Sequence, residues 1–167
     1  MRYSDIRSHL HSGDLLAWSH RGWGSRYDVE VMAVRVFTMS EYCHVGVAYR
    51  INGRVTVVEA VGSGVRIFPL SRLVPFYHLS MQLAWNEAAE AFAWSTLGQA
   101  YSKWQAVAAH LGLLHAGADT TWQCAEHAQA LLALLGCLLR CKPTPTELVA
   151  AAQRRPHAVL RLVEADA

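Results

Sequence analysis

The chain has 167 residues, 53% of them hydrophobic and 17% charged, which is enough for one domain with a buried core and excludes a disordered protein. A formal net charge of +2, with no Lys/Arg run, gives no electrostatic footprint for nucleic acid. The longest apolar stretch, Ala128 to Leu139, is too short for a bilayer and is interrupted by Gln129.

No apolar segment resembling a secretory signal follows Met1, so the expectation is a cytoplasmic protein with no integral membrane segment. The four cysteines (43, 124, 137 and 141) then read as thiols rather than a disulfide framework. There is no internal repeat and no low-complexity linker, and residues 1–167 read as a single domain.

Ser4 to His11 reads as a short helix stopped near Gly13, and Asp14 to Ser19 as a strand. Trp23 to Tyr27 reads as a loop and Glu30 to Thr38 as a β-branched strand. Cys43 to Arg50 and Arg54 to Val61 flank Asn52-Gly53, a strong hairpin signal. A turn at Gly62-Ser63 leads to Val65–Phe68, and a further strand is expected from Tyr77 to Leu83. Helices follow over Glu87–Leu97, Ala100–Leu111, Trp122–Leu139 and Glu147–Gln153, with a closing strand from Ala158 to Val163. Strands first and helices second indicate an α+β fold.

Two helix starts carry capping signals. Thr120 to Gln123 fits a capping box with Thr120 as N-cap, which places Cys124 in the first turn. Thr144-Pro145-Thr146-Glu147 fits a second, with Pro at the first helical position. A helix N-terminus favours thiolate over thiol, so Cys124 is a candidate nucleophile.

The Asn52-Gly53 turn also fixes a register. Ile51 faces Arg54, and the same pairing continued down the hairpin puts Gly46 opposite Glu59 and His44 opposite Val61. His44 and Glu59 then share a sheet face as diagonal neighbours, roughly 7 Å apart at Cβ, within bridging reach of an imidazole and a carboxylate. A carboxylate on one ring nitrogen orients the imidazole and stabilises its protonated form. Gly46 and Ala48 beside His44 leave room for the Cys124 helix to dock on that face. Cys43 points to the other face and reads as a small core residue. A carboxylate among Val57, Val58, Ala60 and Val61 is costly unless it is paired or exposed.

At these residues the chain resembles the circularly permuted NlpC-type branch of the papain-like cysteine hydrolases. The matches are Gly13-Asp14-Leu15-Leu16, Cys43-His44-Val45-Gly46, Val58-Glu59-Ala60 and Gly64-Val65. They continue with Leu97-Gly98-Gln99-Ala100-Tyr101, Cys124-Ala125-Glu126 and Thr144-Pro145. Cys43 stands where the family usually has Ser, and Ser102 where Asp often follows the Tyr. The resemblance implies an antiparallel sheet packed on helices, with Cys124 as nucleophile, His44 as base and then acid, and Glu59 as its orienter. It implies no cofactor. The expected partner is a peptide or acyl substrate, with an amide in a cell-wall peptide the leading expectation. A lipid acyltransferase or thioesterase would use the same three residues, and a binding module would keep the fold without turnover.

His127, three residues after Cys124, is the rival base and reads as a partly exposed helix residue. Cys137 and Cys141, four apart on one helix, invite a zinc reading, but no His/Cys grouping has structural-zinc spacing. Trp18 and Trp23 flank a glycine-rich loop and read as core, or as the walls of a substrate groove. Asp14 reads as a structural turn residue.

Overall fold

In the computed structural model, residues 1–19, 41–100, 122–156 and 158–166 are described. The expected loop at residues 23–27, the strand at 30–38 and the helix after Ala100 lie outside them, as do Trp23, Tyr101, Ser102 and Thr120.

The described strands are β1 (Leu15–Ser19), β2 (Tyr42–Ile51), β3 (Arg54–Val61), β4 (Gly64–Pro69), β5 (Phe76–Leu79) and β6 (Leu160–Val163). They form one antiparallel sheet in the order β4-β3-β2-β1-β5-β6. The helices are α1 (Tyr3–Ile6), α2 (Glu87–Ser95), α3 (Cys124–Leu134) and α4 (Pro145–Gln153). The fold is therefore α+β, as the order of elements in the sequence indicates. None of the described helices is long and apolar enough to cross a membrane.

The β2–β3 hairpin has the expected register, from Ile51 opposite Arg54 to Val47 opposite Val58. Asn52 and Gly53 both have positive φ (50° and 77°), which a tight two-residue turn requires. The second turn, at Gly62-Ser63, pairs β3 with β4 from Val61 opposite Gly64 onward.

Each face of the sheet carries its own core. Leu15, Ala17, Val45, Val47, Tyr49, Val58 and Ala60 pack against α2, α3 and α4. Leu16, Trp18, Ala48, Val57 and Phe76 pack against Tyr3, Ile6 and Leu10 of the N-terminal segment. This corrects the expected docking face, since α3 covers the side opposite Gly46 and Ala48. The physical reason lies at Gly46. A Cβ there would stand 2.5 Å from Val57 Cγ2 and 3.2 Å from Glu59 Cβ. The space above Gly46 is thus filled by β3 side chains, and the unbroken apolar row at Val45, Val47 and Tyr49 receives the helix. Gly46→Ala is expected to cost about 1–3 kcal/mol by overpacking, read as a lower urea midpoint at unchanged m-value.

Several boundaries also differ from expectation. Helix α3 starts at Cys124 with Gln123 as N-cap and no side-chain cap bond, so Gln123 is not the third helical residue of a capping box. It ends at Leu134, because Gly136 turns to φ 81° and the N–H groups of Gly136 and Cys137 close back on Ala133 and Leu132. Cys137 and Cys141 therefore lie beyond the helix rather than on one face of it. Strand β5 stops at Leu79: the Met81 N–H donates to Asp14 Oδ1, and Gln82 takes φ 51°. The Thr144 cap forms as expected, with Thr144 Oγ1 accepting from the Glu147 N–H and Pro145 in the first turn.

Candidate active site

The three residues singled out in the sequence meet at one end of β2. The pairing of β1 with β2 shifts there: Trp18 faces His44 but Ser19 faces Tyr42, so Cys43 is the extra residue of a bulge. Such bulges re-aim neighbouring side chains. His44, next to this one, meets Glu59 from its own sheet face and Cys124 from the helix packed on the other. The Cys43 thiol instead donates to the Trp18 carbonyl, at 3.3 Å.

His44 Nε2 lies 2.6 Å from Glu59 Oε2. The His44 side chain also hydrogen-bonds Cys124, which stands at the first position of α3. With Nε2 committed to Glu59, Nδ1 is the nitrogen left for the thiol. Burial works to lower the imidazole pKa, but the hydrogen bonds and charges of Cys124 and Glu59 outweigh it and raise the value to about 10. Trp18, wholly buried, packs its ring 5.3 Å from the imidazole and anchors its own Nε1 on the Leu73 carbonyl. Trp18 is thus core and a wall of this site at once.

Glu59 has no exposed side-chain surface. Burial alone would raise its pKa, yet His44 and Arg66 hold it below the ordinary carboxylate value. Arg66 is the residue that sequence reasoning missed. It stands directly opposite Glu59 on β4, donates to Oε1 from Nε at 2.8 Å, and brings Nη2 within 2.6 Å of the same oxygen as an ion pair. The signal was present: the Gly62-Ser63 turn sets a register as the Asn52-Gly53 turn does, and it pairs residue 59 with 66.

The other candidates take structural places. His127 is fully buried rather than partly exposed. Its Nε2 lies 2.9 Å from Thr96 Oγ1, and its ring packs against Phe92 and Trp122. Burial lowers its pKa to about 4, so it is neutral at pH 7. Between pH 6.5 and 4 the unfolded chain takes a proton that the folded chain refuses. The stability that His127 contributes is complete above pH 6.5 and is lost as pH falls towards 4. His127→Leu is expected to remove about 3 kcal/mol of that acid-side loss, measured as the difference in urea stability between pH 7 and pH 4.

Asp14 binds the N–H of His11 through Oδ2 and that of Met81 through Oδ1, and its Oδ2 also lies 2.9 Å from His78 Nε2. Both side chains are buried, and Asp14 ties the start of β1 to the end of β5. Two further segments of the sequence resemblance meet each other beside Trp122. Val65 N–H donates to the Gln99 carbonyl and Gly98 N–H to that of Val65, while Trp122 Nε1 donates to Gln99 Oε1. The Gly64-Val65 and Leu97–Ala100 segments thereby brace Trp122, two residues before Cys124.

Neither a family model nor a curated protein matches the sequence. Among solved structures, the chain is similar to the crystal structure of the metalloprotein yiiX from Escherichia coli O157:H7, a DUF1105 protein. The TM-score is 0.60 over 90% of this chain and 96% of that one. Sequence identity is 17%, so the likeness extends to the fold alone.

Proposed function

We propose that the chain is a thiol-dependent hydrolase of the permuted NlpC-type papain-like architecture, acting through an acyl-enzyme on Cys124. One observation carries the reading: a cysteine at a helix N-terminus shares a histidine with a buried carboxylate, and both partners raise the histidine pKa. That is the arrangement a thiolate nucleophile requires.

The Cys124 thiolate adds to the substrate carbonyl carbon, and the carbonyl π pair moves to oxygen. The Cys124 backbone N–H, which has no acceptor within the helix at that position, is placed to donate to the oxyanion. Collapse re-forms the carbonyl and expels the amine, which takes the proton from His44 Nδ1. Water then attacks the thioester, giving its proton to His44, and the acid leaves with the thiolate restored. Glu59 keeps Nε2–H engaged throughout, so the proton in flight is always the one on Nδ1. The leading substrate is a peptide amide, with a cell-wall peptide as the specific proposal.

The yiiX protein is described as a metalloprotein. Among the described residues here, no group of three or more His, Cys, Asp or Glu side chains is placed to hold an ion. The Glu59 oxygen left over by His44 faces the Arg66 guanidinium, a cation where a metal would have to stand. The donor set at this site does not fit a metal.

The test is intact-mass analysis after incubation with peptide anilides and with aryl esters. The reading expects an acyl adduct that maps to Cys124 and decays in water. Adduct formation with esters but transfer only to added amines or alcohols would make the chain an acyltransferase. No adduct with either class would favour a binding module.

A further inference from the structure

This inference rests on the hydrolase reading above. We propose that Arg66 is a positioning residue of the site: it acts through Glu59, fixing the carboxylate so that the His44 imidazole stays aligned on Cys124.

The geometry divides the carboxylate cleanly. Oε1 accepts from Arg66 Nε at 2.8 Å and is ion-paired with Nη2 at 2.6 Å, and Oε2 is left for His44 at 2.6 Å. A carboxylate with one bound oxygen can pivot about its final torsion, whereas one held at both oxygens cannot. The Glu59 side chain is wholly buried, so its charge depends on the cationic and hydrogen-bonding groups packed around it. Arg66 is suited to be one of them. Its side chain is 34% exposed, so the guanidinium remains partly hydrated at the rim while its donors reach inward. Its guanidinium carbon sits 4.3 Å from the centroid of the Phe68 ring, which supports the planar group from one side. Glu59 and Arg66 are directly opposed on adjacent strands, so the sheet itself sets their spacing. Cation, carboxylate and imidazolium thus form a continuous row that ends at the thiol.

A rim ion pair with a merely structural role would change stability and leave the chemistry of Cys124 alone. The positioning role predicts a change in pH dependence. His44 and Arg66 together hold the Glu59 carboxyl below its ordinary value, so losing Arg66 raises it and weakens the hold on His44, most of all on the acid side. The measurement is the rate of Cys124 alkylation by iodoacetamide at pH 5.5 and 7.5, followed by mass at the Cys124 peptide. It compares wild type, Arg66→Met, Arg66→Lys, Glu59→Gln, the double variant Glu59→Gln/Arg66→Met, and His44→Ala.

Arg66→Met is expected to lose about tenfold in rate at pH 5.5 and less than about threefold at pH 7.5 relative to wild type. Arg66→Lys keeps the charge without the planar fork and recovers most of the loss. In the Glu59→Gln background, Arg66→Met changes the rate less than about twofold, because its route to His44 is already broken. Near-UV circular dichroism checks each fold; if Arg66→Met does not fold, Arg66→Gln takes its place with the same expectation. Slow His44→Ala together with Arg66→Met tracking wild type at both pH values would overturn the role of Arg66 and leave the hydrolase reading standing. His44→Ala matching wild type would overturn the Cys/His reading, and Arg66 with it.

Discussion

Cys124→Ser is expected to lower turnover of a substrate found by adduct screening by at least about 10³-fold, while changing stability by less than about 1 kcal/mol. The two halves of this result have separate causes. Serine keeps the unbranched shape of cysteine, and its hydroxyl can take the place of the thiol beside His44 at the first position of α3. A hydroxyl, however, is a far weaker acid than a thiol, so the imidazolium of His44 cannot hold serine ionised as it would hold a thiolate. Initial rates and urea midpoints on the same samples check both halves. A large loss of stability would make Cys124 a packing residue instead.

Glu59→Gln is expected to act on stability and reactivity together. The amide keeps the shape but replaces one acceptor oxygen with a donor NH₂. Both groups facing Glu59 are donors: Arg66 on one oxygen and the protonated His44 on the other. Whichever way the amide turns, one donor faces another, at a cost of about 1–3 kcal/mol in a buried setting. The imidazole also loses a charge that helps raise its pKa to about 10. Because that pKa is raised above the ordinary 6.5, the stability linked to His44 is complete below pH 6.5 and is lost as pH rises towards 10. Glu59→Gln should therefore flatten the alkaline decline in stability between pH 7 and 10, while Cys124 alkylation at pH 6 slows by about tenfold or more. Denaturant midpoints across that range, with alkylation rates at pH 6, provide the check.

The parts of the site legible in the sequence were those set by short-range rules. A two-residue turn gives a register by counting, so the meeting of His44 and Glu59 could be worked out from Asn52-Gly53 alone. The same counting from Gly62-Ser63 reaches Arg66. Arginine in a strand normally reads as solvated surface, so its type gives no sign of a buried partner. The docking face of α3 was misjudged for a different reason. Small residues at Gly46 and Ala48 look like room for a helix, but in a sheet the neighbouring strand can fill that room first, as Val57 and Glu59 do. The bulge at Cys43 has no signature in the local sequence, yet it stands beside the histidine that meets Cys124. His127 was misjudged because helix position does not reveal what packs over it. Half of its aromatic cover, Phe92, comes from α2, a helix distant in the chain, and closes over the ring together with the nearby Trp122.

The most direct test of the Cys124–His44 pair is the pH dependence of Cys124 alkylation by iodoacetamide, in wild type and His44→Ala. The account predicts fast alkylation of wild type already at pH 6, and for His44→Ala a rate that rises only towards about pH 8.5, as for an ordinary thiol. Two superimposable curves, both rising near that pH, would contradict it.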